Sequence, residues 1–356
     1  NRDILKVIQS LPGVASNPGF RNDIIIRGGA TSENKFYVDG IGVPVINHFQ
    51  TQGATGGPVG LINADLIRNV DFYTSAFTAN RGNALSSIIE LSQKKGNPNQ
   101  LNVRATLGTS DAGVTLDGPM SQNTTFIASV RQSYLQYLFK LIKLPFLPTY
   151  TDYQINITSQ INTNNEFSFM ALGAIDNFEL NESVNDDVTD EETIKRNKYI
   201  LANIPVQEQW NYTIGATWKH YGEKSNQLYV LSRNVWNNNS TKYFNNTNNP
   251  TDLLLDYSSK EIENKFRFEN NTTVNGFDLN AGFALDQATY TNNTFRKIVN
   301  TNNIAIKDFS SELNLFKYAL FVQASKKYTN LSMSLGIRFD GNNYNSTMKN
   351  LLNQFS

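Results

Sequence analysis

From about residue 100 onward, apolar and polar positions alternate one by one. The clearest case is WNYTIGATWKH, Trp210 to His220. Trp210, Tyr212, Ile214, Ala216 and Trp218 fall on one face, and Asn211, Thr213, Gly215, Thr217 and Lys219 on the other. A period of two is the signature of an extended strand with unlike environments on its two faces. At roughly 3.3 Å per residue the two tryptophans stand about 26 Å apart. That matches the apolar band of a membrane-spanning strand, about 25 Å tall with an aromatic girdle at each edge. The same sorting puts Phe277, Leu279, Ala281, Phe283 and Leu285 against Asp278, Asn280, Gly282 and Asp286. It puts Leu331, Met333, Leu335, Ile337 and Phe339 against Ser332, Ser334, Gly336, Arg338 and Asp340. In EIENKFRFE, Ile262, Asn264, Phe266 and Phe268 oppose Glu261, Glu263, Lys265, Arg267 and Glu269.

The connections also alternate. Short polar turns (GPMSQN, NTNN, EKSN, VNG, KYTN) take turns with long Asn-rich or acidic stretches around 178–205, 240–256 and 296–311. A transmembrane β-barrel is wired in this way, with short turns at one end and long loops at the other. A soluble β-sandwich also has alternating strands, but it requires neither girdle aromatics on the aliphatic face nor sorted loop lengths. A β-solenoid would show a fixed repeat length, and none is found. We therefore expect residues 101–341 to be antiparallel barrel strands, with Trp210, Trp218, Phe277, Phe283, Leu335 and Phe339 facing lipid.

Residues 1–100 read differently. Asp3 can cap a short helix with Ile4, Ile8 and Leu11 on one face, stopped at Pro12-Gly13. Ile24–Ile26, Phe36–Val38, Leu66–Tyr73 and Ser86–Leu91 read as short strands, and Gly28-Gly29 and Asp39-Gly40 as turns. This α+β segment contains an oddity: Arg27 closes an all-isoleucine strand. A charge at the end of a buried strand needs a partner.

Composition removes several function classes. The chain of 356 residues balances 31 basic against 31 acidic side chains, which gives no electrostatic case for nucleic acid. Having no cysteine excludes thiol chemistry and disulfides, and two histidines, His48 and His220, leave little for a histidine-based metal site. Tyr134–Pro148 is too short and interrupted for a spanning helix. No G-x-S-x-G, H-E-x-x-H or phosphate-cradling G-x-x-x-x-G-K occurs. The loop Gly53–Gly60 lacks the lysine of a phosphate cradle. The acidic run Asn185–Glu192 has oxygens for calcium but reads first as a solvated loop. N-x-S/T triplets at Asn156 and Asn211 fall inside strands. We expect no enzyme, no cofactor and no metal.

The phrases LPGV (Leu11–Val14), IIIRGG (Ile24–Gly29), FYVDGIGVP (Phe36–Pro44), LINADLIRNVDFYTSAFTANRG (Leu61–Gly82) and LSSIIELSQKKGN (Leu85–Asn97) resemble, in order, the plug of TonB-dependent outer-membrane receptors. DGPMSQNTTFIASVRQSYL (Asp117–Leu135) resembles the first periplasmic turn and third strand of the Bacteroidota type, and RGGATSEN is less like its starch-utilisation subclass. Thr74-Ser75 replaces a Gly or Arg-Gly that the family usually has, and Arg81-Gly82 replaces a Tyr-Gly pair. The place of a second locking arginine is thereby left open.

The resemblance implies a mainly β fold, with a plug domain at 1–100 and the first half of a roughly 22-stranded barrel, about eleven strands, at 101–356. It implies a receptor in the outer membrane of a Gram-negative cell. Its ligand, a siderophore, vitamin, glycan or peptide, would bind at the extracellular loops. A periplasmic TonB protein would pull on the plug through a segment N-terminal to this chain. The alternative is a barrel that binds or scaffolds without transporting. In either case a wide lumen must be plugged. We expect Arg27, with Gly28 and Gly29 turning the backbone, to supply the plug side of an ion-pair lock. Candidate partners are the inward acids Glu261, Glu263, Glu269, Asp278 and Asp286. Asp39 and Gly40 are expected to serve the turn.

Overall fold

A computed structural model describes residues 3–16, 21–300 and 303–344. It contains a small plug and one large curved wall.

In the plug, helix α1 (Ile4–Ile8) is capped by Asp3, whose carboxylate accepts from the Leu5 amide, and it buries Leu5 and Ile8. Leu11 lies beyond the helix and is exposed. Strands β1 (Val14–Ser16) and β2 (Ile24–Ile26) form an antiparallel pair. Strands β3 (Asn34–Val38), β4 (Ile41–Gly42), β7 (Ile67–Tyr73) and β8 (Ser87–Gln93) form a mixed sheet in the order β4-β3-β8-β7, with β3 parallel to β8. Strands β5 (Asn47–His48) and β6 (Val59–Gly60) make a separate short pair. Asp39 and Gly40 both take positive φ, and Val38 pairs directly with Ile41. This is the two-residue hairpin geometry that Asp-Gly favours.

The wall is one antiparallel meander of eleven strands. They are β9 (Asn102–Leu107), β10 (Asp111–Ser121), β11 (Thr124–Ser133), β12 (Phe146–Asn162), β13 (Asn165–Leu180), β14 (Val206–Tyr221), β15 (Ser225–Tyr243), β16 (Leu253–Val274), β17 (Phe277–Asn300), β18 (Asn303–Lys327) and β19 (Ser332–Tyr344). Among the described residues no helix is long and apolar enough to cross a membrane.

The expected faces are observed. Asn211, Thr213 and Thr217 are buried against the plug side, while Trp210, Ile214 and Trp218 are exposed on the other. Leu331, Met333, Leu335, Ile337 and Phe339 are each more than half exposed. Gly215 shows why a small residue sits in an inward position: a Cβ there would lie 2.6 Å from Ile41 of the plug.

One reading of the connections needs correction. Residues 296–311 are not a long loop. Strand β17 runs through Asn300 and β18 begins at Asn303, with consecutive pairing between them. The Asn-rich composition disguised a hairpin, because paired backbone keeps its hydrogen bonds whatever polar side chains it carries. Two of the connections hold short helices. Helix α2 (Leu135–Leu141) links β11 to β12, and α3 (Glu191–Asn203), capped by Asp190, links β13 to β14. About ten tilted residues cross a bilayer; β16, β17 and β18, with 22, 24 and 25 residues, extend well past that span.

Candidate functional site: where the plug meets the wall

The plug packs its apolar core onto the wall. Ile24, Ile26, Val38, Ile41 and Ile46 share one cluster with Met170, Leu172 and Ala174 of β13 and Val230 of β15. Around that seam lie two polar contact regions.

The first faces β11 to β14. His48 is fully buried, with Nδ1 2.6 Å from Asp176 Oδ1 and Nε2 3.1 Å from Asp152 Oδ2. The imidazole stacks on Tyr150, with ring centroids 4.0 Å apart. Arg131 approaches from β11. Its Nε donates to both oxygens of Asp152 at 3.0 Å, and its Nη2 donates to the plug carbonyls of Gly60 and Leu61 at 3.0 and 2.9 Å. The remaining oxygen of Asp176 accepts from the Phe49 amide at 2.9 Å, which holds Phe49 at φ 53°. Nearby, Gln154 accepts from the Asn63 amide, and Gln209 donates to the Gln50 carbonyl. Burial alone would pull the His48 pKa down. The Asp176 charge and the ring's hydrogen bonds to both carboxylates outweigh it and raise the value to about 9.

The second region faces β16 to β19. Arg81 donates from Nε to Glu90 of the plug at 2.6 Å and pairs through Nη1 with Glu269 of the wall at 3.2 Å. Arg267 holds the same Glu269 oxygen at 2.7 Å and reaches the Gly40 carbonyl at 2.9 Å. Asn80 donates to the other Glu269 oxygen at 2.9 Å. The Arg81 guanidinium also lies 4.8 Å from the centre of the Tyr37 ring. Burial works against its charge, but Glu90 and Glu269 raise its pKa further. Beside this cluster is a cavity of about 330 Å³, lined among others by Lys35, Tyr37, Glu263, Lys265, Asp286 and Lys317. Lys265 pairs with Glu263, and Lys317 lies 3.5 Å from Asp286. Burial and the facing Lys265 charge push the Lys35 ammonium down.

The expected site residues are distributed unevenly between these regions. Arg27 is exposed at φ 50°, next to Gly28 at φ 79°, and among the described residues it has no ion-pair partner. Gly29 lies where any Cβ would clash with Ser86 Oγ at 1.8 Å. Asp39 serves its turn, accepting from the Gln93 amide at 2.9 Å, and also takes a hydrogen bond from Asn156 of β12 at 3.1 Å. Gly40 contributes its carbonyl to Arg267. Of the five wall acids, Glu269 pairs with the plug and Glu261 accepts from plug Gln52 at 2.9 Å. Glu263 and Asp286 border the cavity. Asp278 is exposed and accepts from Thr273 within its own hairpin.

Sequence reasoning missed His48, Asp152, Asp176, Arg131 and the pairing role of Arg81. A signal did exist for one of them: Asp176 follows Met170, Leu172 and Ala174 on the inward phase of β13, whereas Asp152 sits among Gln154, Asn156 and Thr158 and does not stand out.

Comparison with known proteins agrees with this geometry. Residues 1–88 match the family model described as TonB-dependent Receptor Plug Domain. Among curated protein sequences no relative matches. Among solved structures, Pseudomonas aeruginosa FpvA bound to a heterologous pyoverdine is similar at 13% identity with a TM-score of 0.68, covering 96% of this chain and 50% of that one. A mutant of the ferric enterobactin receptor PfeA from Pseudomonas aeruginosa, in complex with enterobactin, is similar at 14% identity and a TM-score of 0.66, covering 96% and 57%. The chain thus spans about half the length of these structures. Residues 1–88 thus carry a TonB-dependent receptor plug domain, seated against a wall whose fold is similar to that of the solved FpvA and PfeA receptors.

Proposed function

We propose that this chain is the plug and part of the barrel of an outer-membrane importer, energised through TonB. One observation carries the reading. The plug is held to the wall largely by charged and hydrogen-bonded groups, Arg81–Glu269 among them, which water can replace when the plug is pulled. In this reading the short turns lie in the periplasm and the stretches around 178–205 and 244–252 face outward. The exposed apolar face, with Trp210 and Trp218, meets outer-membrane lipid. TonB engages a segment N-terminal to residue 1. We assign the Bacteroidota type from the Asp117–Leu135 phrase.

Similar structures were solved with pyoverdine and enterobactin bound, so ferric siderophores are the first ligand class to test. A barrel that binds without transporting is less favoured, since the similar structures are those of siderophore receptors. Arg27 belongs here as the plug side of a further ion pair, its carboxylate supplied by barrel strands beyond these eleven. Arg27→Ala should then raise leakage of small solutes through the complete receptor, while Asp39→Asn should leave it nearly unchanged.

The decisive experiment expresses the complete receptor in a receptor-deficient strain and follows uptake of a panel of radiolabelled ligands, with and without a proton uncoupler. Uncoupler-sensitive uptake of any ligand supports import. Binding at the surface with no uptake for the whole panel favours the non-transporting reading.

A further inference from the structure

His48 departs from the usual behaviour of a buried histidine. A neutral imidazole has one N–H and one lone pair, so between two carboxylates one of its nitrogens would face an acceptor with nothing to donate. Here both nitrogens lie within hydrogen-bond distance of carboxylate oxygens, on adjacent wall strands. The surrounding charges balance only if the ring is cationic: Asp152 and Asp176 carry two negative charges, and Arg131 supplies one positive. The other groups facing the ring are neutral or indirect. Tyr150 stacks on it and directs its hydroxyl away to Asp111 at 2.9 Å, and the plug's own Gln50 points its amide oxygen at the Ile46 amide.

We propose that His48 is a pin protonated at neutral pH, which fixes plug segment 44–62 to strands β11–β13 by charge rather than by shape. Without the pin, two carboxylates and one arginine remain in a dry seam with a net charge that burial disfavours. The pin also sets a pH limit. A histidine whose folded pKa lies near 9 contributes its full stabilisation below its unfolded value near 6.5. That stabilisation weakens as pH rises and is lost through about 9.

Two measurements on the complete receptor in detergent test this. In histidine-labelled protein, the His48 ring signal is assigned by its loss in His48→Gln. Both ring nitrogens should read as protonated at pH 7 and titrate near pH 9. A neutral ring at pH 7 overturns the proposal. Hydrogen exchange of segment 44–62 then separates charge from shape. His48→Gln should lose at least tenfold protection, and His48→Gln with Asp176→Asn should regain most of it, because the second change removes the carboxylate charge that the lost imidazolium had balanced and leaves Asp152 paired with Arg131. If the double variant exchanges as fast as the single one, shape rather than charge holds the segment and the pin is refuted. The ring titration uses the native receptor, so it decides even if the variants fail to fold.

Discussion

The plug meets the wall through two regions that solve the same problem differently. Toward β11–β14, the buried His48, Asp152 and Asp176 and the largely buried Arg131 bond in a closed set with one another and the plug backbone. Toward β16–β19, Arg81, Arg267 and Glu269 form a tight cluster beside a cavity of about 330 Å³ lined by lysines and carboxylates. A closed, dry set resists separation because every group loses its partner at once. A cluster bordering a polar cavity can exchange its partners for water with less penalty. The comparison teaches that a plug can be seated by a closed set of charges on one side and border a polar cavity on the other.

The largest effect should come from Asp176→Ala. It strands the His48 charge and the Phe49 amide together, costing about 3–5 kcal/mol of local stability. Hydrogen exchange of residues 44–62 in the complete receptor measures it. A loss no greater than that of Arg81→Ala would erase the contrast between the two regions. Next is Gly57→Ala, about 1–3 kcal/mol by overpacking. A Cβ there would lie 2.1 Å from the His48 carbonyl oxygen, which is backbone and cannot swing away. Its damage should stay on the β11–β14 side, which exchange mapped peptide by peptide would show.

Arg81→Ala should also cost about 1–3 kcal/mol, because Arg267 remains 2.7 Å from Glu269 to neutralise it. Removing both arginines should cost more than the sum of the single losses, and a double-mutant cycle on thermal unfolding of the plug reads that coupling. Smallest is Lys35→Met, within about 0.5 kcal/mol of neutral or slightly stabilising, since it removes an ammonium facing Lys265 and Lys317. A clear loss of stability would mean that the cavity depends on that charge.

The wall was legible in the sequence and the contacts were not, for a physical reason. Lipid sorts side chains by parity alone, so Trp210, Ile214 and Trp218 disclose their face without knowledge of any neighbour. Parity also turns Glu269 and Asp278 inward but says nothing about height along the lumen, and only Glu269 stands level with Arg81. Arg27 and Arg81 are both followed by glycine. One occupies an exposed left-handed turn; the other is nearly buried between Glu90 and Glu269. Which arginine finds a carboxylate is decided by how the plug is rotated within the wall, a three-dimensional fact with no local sequence signal. His48 was passed over because two histidines leave little for a histidine-based metal site, and its aspartates lie 104 and 128 residues away in the chain.

The seam between Arg131 and the plug carbonyls bears on biogenesis. Asp152 and Asp176 stand on neighbouring strands and turn to the same interior, with Arg131 as the cation their own wall supplies. Until the plug arrives these groups have every reason to stay solvated, and the Arg131 fork has no Gly60 or Leu61 carbonyl to grip. Drying of this part of the barrel and docking of the plug are therefore one event. The charges of β11–β13 and the plug segment that covers them complete one another, and neither side has all its partners without the other.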